Sequence, residues 1–322
     1  MPTPQNPTRG ANPPANPVRI DDPDDPRLIP FANQRDQWLR ARHRPAMTGE
    51  DRHPVPDSEV TGTGLPGDLF IAEGDKVVAQ LITSPHRTLA VMVSEHRLDH
   101  HLPYLEGMDP GVPVYAVARK IIDTVAGFNI HRGLLALGQR TDPGDARDLA
   151  RRAGVVVILE DLTNHDNVGG VFRCVRALAR PRPAWKPDAD IPACVLLSPR
   201  CCDPLYRKSL RVSMGNALHV PFATIDDWPS GLAHLVEAGC DLLAATPAPG
   251  SVELSAVEPQ AGRTPAVLLG TEGPGLASKT LETARTLGGR AVRIDIEDDA
   301  DSLNVSVAGA VMLHHLRTRS AG

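Results

Sequence analysis

No Cys-x-x-Cys pair occurs in the 322 residues, and the five cysteines, at 174, 194, 201, 202 and 240, have no histidine at ligand spacing. A disulfide framework and a zinc site are therefore not expected, and the thiols read as reduced and mostly buried. The histidine pairs His100-His101 and His314-His315 are adjacent, which predicts rings on different faces and no metal. Apolar runs of membrane-spanning length are missing, as is a signal-peptide core near the start. These absences predict a soluble, cytoplasmic protein with no membrane partner. No G-x-x-x-x-G-K-[ST] occurs and no G-x-G-x-x-G opens a helix after the first strand, so a nucleotide-binding oxidoreductase lacks its phosphate fingerprint. Lysine is scarce, 5 against 29 arginines, and the formal net charge of −5 gives the chain as a whole no attraction for nucleic acid.

What is present is a globular chain, 41% hydrophobic and long enough for two domains. Residues 1–27 hold eight prolines and four aspartates with almost no large apolar side chain, which predicts a disordered tail. From residue 28 to 140 short apolar runs such as "DLFIAEG", "TLAVMVSE" and "VPVYAV" alternate with amphipathic stretches, the pattern of a small α/β domain. The polar segment 141–154, "TDPGDARDLARRAG", reads as a linker. Residues 155–322 alternate again, with strands expected at "VVVILED", "ACVLLS", "ALHVPFA", "CDLLAAT", "PAVLLG" and "AVRIDI". Runs this apolar suit a parallel sheet covered on both faces. The final segment, "SLNVSVAGAVMLHHLRTR", is apolar nearly all round in its first turns, which predicts a buried helix.

Polar, glycine-bearing pieces follow several of these strands: "TNHDNVGG", "PAPGS", "TEGPG" and "EDDADS". In an open α/β sheet a ligand crevice lies at the carboxyl ends of the strands, so these loops are the expected meeting place of cofactor and substrate. The two glycines of "NVGG" mark a close backbone approach, with Arg173 expected in the first turn of the following helix. Between Gly170 and Arg211 nine basic residues, among them Arg173, Arg176, Lys186, Lys208 and Arg211, face only Asp188, Asp190 and Asp203. Such a stretch is either a solvated surface or a phosphate-binding one.

Three stretches taken together are specific: "NVGGVFR" (167–173), "GTEGPGL" (270–276) and "SLNVSVAGA" (302–310), with "KSLRVSMGNALHVPF" between the first two. In order and content they resemble the SpoU, or TrmH, family of S-adenosylmethionine-dependent RNA ribose 2'-O-methyltransferases. Upstream, "FIAEGDKVVAQLITS" and "GFNIHRGLLALG" resemble the ribosomal-protein-like substrate-binding domain that many members carry. Two departures stand out. A segment usually reading Ile-Pro-Met is here Ile294-Asp295-Ile296, and "PRPAWKPDADIPA" looks like an insertion after the first helix.

The resemblance implies a carboxyl-terminal parallel-sheet α/β domain with a deep trefoil knot, which general topology rules would not predict. It also implies a homodimer formed through that domain, S-adenosylmethionine as cofactor, and an rRNA or tRNA partner. Cofactor contacts fall on Thr246, Gly270, Ile294, Ile296 and Leu303, and catalytic roles on Arg173, Asn167, Glu272, Ser302 and Asn304. The family implicates Arg173 in activating the ribose hydroxyl. A guanidinium is a poor base at neutral pH, so stabilising the developing alkoxide is its physically simpler role, with proton abstraction left open. The asparagines could orient Arg173 and the ribose or act as helix caps, and Ser302 could cap the last helix. RNA contacts are expected from Arg176, Lys208 and Arg211 and, in the amino-terminal domain, from Lys76, Arg87 and Arg132. The competing reading is a non-catalytic RNA-binding protein that kept the scaffold, a reading the Asp295 departure favours.

Overall fold

The structure, a computed structural model, describes residues 17–31, 69–126, 133–142, 144–297 and 301–319. The chain divides into two compact units, Met1–Thr141 and Asp142–Gly322. Among the described residues no helix is long and apolar enough to cross a membrane.

The first unit contains β1 (Val18–Ile20), β2 (Leu69–Glu73), α1 (Asp75–Thr83), β3 (Arg87–Ser94), α2 (Leu98–His101), β4 (Val114–Val117), α3 (Arg119–Ala126) and β5 (Leu134–Gln139). Among the described residues its five strands lie in the order β1-β4-β3-β5-β2; β5 is antiparallel to β2 and β3, and the β1-β4 and β4-β3 pairs are parallel. The expected tail is therefore shorter than 27 residues. Val18–Ile20 pairs with β4, and Ile20, Leu28 and Phe31 are buried in the core beside Tyr115 and Leu135. Proline-rich composition conceals this because three apolar side chains suffice once an existing sheet edge supplies the backbone partners. Residues 1–16 lie outside the described residues.

Contrary to the expectation for adjacent histidines, both rings of His100 and His101 approach one carboxylate, since α2 is a single turn beside the start of α1. His101 is fully buried with Nδ1 2.8 Å from Asp75 Oδ1, and His100 Nε2 lies 3.7 Å from Asp75 Oδ2. Burial holds the His101 imidazole below its ordinary pKa against the opposing pull of Asp75.

The second unit begins with a helix where a linker was expected. α4 (Ala146–Arg152) starts at Asp145, whose carboxylate accepts from the Asp148 amide at 2.8 Å, and its Leu149 and Ala150 are buried. Only two of its seven side chains face inward, so its apolar stripe is too thin to stand out in a polar sequence. There follow β6 (Ala153–Leu159), α5 (His165–Leu178), β7 (Ile191–Leu197), α6 (Arg207–Val212), β8 (Phe222–Thr224), α7 (Leu232–Glu237), β9 (Cys240–Ala245), β10 (Val252–Glu253), β11 (Thr264–Leu269), α8 (Ser278–Thr286), β12 (Arg290–Arg293) and α9 (Val305–Arg319). All seven strands are parallel, in the order β10-β12-β9-β11-β6-β7-β8. The fully buried β6 and β11 form the middle of the sheet, as continuous apolar runs require. Every strand anticipated in this unit is present; the two-residue β10 is additional.

The segment "PRPAWKPDADIPA" after α5 closes the amino end of this sheet. Trp185 Nε1 donates to Gly154 O at 2.9 Å, and the buried Lys186 Nζ donates to Arg151 O and to Thr264 Oγ1. Two of the five cysteines, Cys194 and Cys240, are buried and the other three half-buried. Burial pushes the Cys202 and Cys240 thiols up to about 12. Helix α9 departs from its expected burial: Val307 and Val311, one turn apart, are 47% and 38% exposed.

Candidate active site

The glycines of "NVGG" lie inside α5 and not in the loop before it, so Arg173 stands in the third helical turn rather than the first. Their purpose is helix crossing on two sides. A Cβ on Gly169 would come within 2.6 Å of Ser209 O in α6, and one on Gly170 within 2.9 Å of Ser306 Cβ in α9. The absence of side chains therefore lets α5 lie close to both neighbours.

At the carboxyl ends of β9, β11 and β12 three loops enclose a cleft of about 210 Å³. All five residues expected to hold a cofactor line it: Thr246, Gly270, Ile294, Ile296 and Leu303. Ile296 and Leu303, each 37% exposed, present apolar side chains to the cleft. The loop 270–276 doubles back so tightly that a Cβ on Gly270 would lie 2.2 Å from Gly275 C. Reciprocal bonds between Thr271 and Gly275, at 3.0 and 3.1 Å, close it, with Gly273 and Gly275 in the left-handed region. The Asp295 side chain is 82% exposed and lies 3.5 Å from Arg293, and Asp295 is not among the residues that line the cleft. The departure from Ile-Pro-Met thus leaves Ile294 and Ile296 on the cleft wall.

At the rim a hydrogen-bonded chain joins three of the predicted catalytic residues. Asn304 Nδ2 donates to Asn167 Oδ1 at 2.9 Å and to Glu272 Oε1 at 2.6 Å. Its Oδ1 accepts from the Ser306 amide and hydroxyl at 2.9 and 2.7 Å, and its carbonyl accepts from the Ala308 amide. Asn304 is thus the cap of α9. A backbone N–H can only donate, which fixes the amide orientation and aims Nδ2 at Glu272. Ser302 was the expected cap; instead it is exposed and lines the cleft beside Glu272. Arg173 is exposed on α5 and makes no hydrogen bond or ion pair with Asn167, Glu272, Ser302 or Asn304 among the described residues. The N-cap of α5 is Asn164, whose Oδ1 accepts from the Asp166 amide, so Asn167 is left free of that duty.

The basic stretch does not form one surface. Lys208 pairs with Asp166 at 2.7 Å near the start of α5, and Arg176 and Arg211 are exposed. Arg200 pairs with Asp161 and holds that carboxyl below its usual range. Arg180 lines a recess with Gly154 at the opposite, amino end of the sheet, and Lys186 is buried there. Sequence proximity fails as a guide because α5 carries the chain from one end of the sheet to the other. In the first unit Lys76 follows the carboxyl end of β2 while Arg87 opens β3, where it donates to Gln139. Both strands are antiparallel to β5, so these two cations stand at opposite ends of that sheet. Arg132 lies outside the described residues.

Glu160, which nothing in the sequence distinguishes from a solvated strand end, is 4% exposed and accepts hydrogen bonds from Trp228, Ala277 and Thr280.

Comparison with known proteins agrees with this architecture. Residues 154–314 match the SpoU rRNA Methylase family. An "Uncharacterized tRNA/rRNA methyltransferase" of Mycobacterium bovis is 35% identical over 301 residues, 93% of this chain and 91% of the relative. The 23S rRNA (guanosine-2'-O-)-methyltransferase RlmB of Bordetella pertussis is 28% identical, covering 74% of this chain and 92% of its own. The AdoMet-bound rRNA methyltransferase from Sinorhizobium meliloti has the same fold, with a TM-score of 0.66 at 20% identity over 94% of this chain and 97% of that one. With its parallel sheet, its three cleft loops and this match over residues 154–314, the chain is a methyltransferase of the SpoU rRNA methylase family.

Proposed function

We propose that this chain transfers a methyl group from S-adenosylmethionine to a ribose 2'-hydroxyl of ribosomal or transfer RNA. The observation that carries the reading is the Asn167–Asn304–Glu272 chain at the rim of a cleft lined by Thr246, Gly270, Ile294, Ile296 and Leu303. The cleft fits the cofactor's chemistry: exposed apolar walls suit an adenine ring, and the open backbone of the glycine loop suits its polar edge. When bound, the cofactor supplies an electrophilic methyl on a sulfonium.

The protein's own part is positioning. Glu272 and Asn167, held by the capping amide of Asn304, present fixed acceptors at the cleft rim to orient the ribose. Arg173, exposed and without an acidic partner among the described residues, is available to stabilise the hydroxyl oxygen as its proton leaves and to fix the adjoining phosphate. Ser302 lies against the same cleft and can relay that proton toward solvent. Lys208, Arg211 and Arg176 extend an RNA track along α5 and α6, while Lys76, Arg87 and Arg132 give the first unit contacts for selecting the RNA. Helix α9 supports a homodimer, since the exposed Val307 and Val311 form an apolar strip that a second copy would cover. The carboxyl-terminal segment is proposed to thread a loop and so form the trefoil knot that the family implies, and the site of action is the cytoplasm. The alternative of a non-catalytic scaffold is weakened, because Asp295 is not among the residues that line the cleft.

The test is transfer of tritiated methyl from S-adenosylmethionine into rRNA and tRNA. We expect incorporation that vanishes when the acceptor nucleotide is 2'-deoxy. Arg173→Ala should lower it by about a hundredfold or more while calorimetric affinity for S-adenosylmethionine stays unchanged. Incorporation into the 2'-deoxy RNA would sink the assignment of the acceptor atom.

A further inference from the structure

Glu160 follows β6 in the middle of the sheet and does not line the cleft, yet it holds both ends of the loop 270–276. Its amide donates to Leu269 O at 2.9 Å, at the point where β11 enters the loop. Its carboxylate reaches the far end, where Oε2 accepts from the Ala277 amide at 2.9 Å. Oε1 accepts from Thr280 Oγ1 at 2.5 Å and from Trp228 Nε1 at 2.7 Å. Ala277 and Thr280 belong to the start of α8, which has no side-chain cap of its own. A carboxylate from the neighbouring strand therefore does the work of that cap, at the helix end where negative charge is favoured. Burying a carboxylate is expensive unless it is fully hydrogen-bonded, and here three donors meet it.

The clamp fixes the span between Leu269 and Ala277, and that span decides the shape of the loop between them. Gly270 can lie against Gly275, and Thr271 can bond Gly275, only while the two ends stay together. The same loop carries Glu272 toward Asn304.

We propose that Glu160 is a positioning residue for the cofactor: by holding both ends of the loop 270–276 it sets the shape of the wall against which S-adenosylmethionine binds. This inference rests on the proposed methyl-transfer function. Glu160 lines neither the cleft nor its rim, so its effect falls first on cofactor affinity and only secondarily, through Glu272, on the chemical step. The isosteric Glu160→Gln tests it sharply. An amide cannot satisfy all three donors, because its NH2 must face either the Ala277 N–H or the Trp228 N–H.

The experiment is calorimetric titration of S-adenosylmethionine into the full chain, with transfer rates measured at saturating cofactor. Glu160→Gln should weaken binding by about tenfold or more while the saturated rate falls by a smaller factor, the reverse of the Arg173→Ala pattern. Amide exchange at Gly275 and Ala277 should quicken in the same variant. Should Glu160→Gln fail to fold, Thr280→Val, which removes one donor and keeps the volume, is expected to move affinity and exchange in the same direction by a smaller factor. A lower melting temperature with unchanged cofactor affinity would show a merely structural role and overturn the proposal. If the unaltered protein itself failed to bind S-adenosylmethionine, the methyl-transfer reading would fall first; if it bound and both variants bound equally well, only the role of Glu160 would fall.

Discussion

At the scale of single residues, His101 and Asp75 form a buried pair whose behaviour with pH can be worked out. Burial lowers the folded-state pKa of His101 below its ordinary value of 6.5. The unfolded chain therefore takes up the proton first as pH falls, and the stability the neutral ring contributes is lost below 6.5. Around that ring stand Asp75, which favours the proton, and His100 and Arg97, which oppose it. We expect the melting temperature of the first unit to decline between neutral pH and about 5.5, and His101→Gln to flatten that decline. A melting temperature equally pH-dependent in the variant would assign the effect to other groups. In the second unit Asn304 is a cap, one of the two roles open to it from the sequence, and its partners beyond the helix are Asn167 and Glu272 in place of Arg173. Its oxygen caps α9 and its nitrogen holds Glu272 and Asn167, so capping and site-building are one arrangement.

At the scale of elements, the crossing of α5 with α6 depends on Gly169. Alanine there would place its Cβ 2.6 Å from the Ser209 carbonyl, backbone that can yield only if α6 moves. The strain of overpacking, on the order of 1–3 kcal/mol, exceeds the roughly 1 kcal/mol that alanine gains over glycine in a helix. Gly169→Ala should therefore lower stability in urea denaturation, whereas Gly170→Ala, which meets the Ser306 side chain, should change it less. Equal midpoints for Gly169→Ala and the unaltered protein would show that the helices part without strain. The elements themselves were legible to different degrees for identifiable reasons. β6, β7, β9 and β11 read clearly because each is a continuous apolar run. β1 did not, since Val18 and Ile20 sit among prolines and gain their partners only from β4. α4 was hidden by a stripe of just Leu149 and Ala150. The residues that line the cleft were visible through family likeness alone, while Glu160 was invisible because its three donors come from residues 68 to 120 positions away.

At the scale of the whole molecule, the division at Thr141 and Asp142 sets where the chain can be cut. A start inside α4 would remove the Asp145 cap and expose Leu149, so the second unit should be released by beginning at Asp142 and not at Asp148. That shortened protein should fold, dimerise and bind S-adenosylmethionine as the full chain does, and lose most of its methyl transfer to the true RNA. Unchanged turnover on RNA, measured beside cofactor binding, would refute a selecting role for the first unit. The segment carrying Trp185 and Lys186 has a practical bearing on such measurements. It seals the end of the sheet opposite the cleft, and Asp188 within it is exposed. A fluorophore attached there after Asp188→Cys would report the tumbling and assembly of the second unit from a station remote from its chemistry, provided the half-buried native thiols are spared.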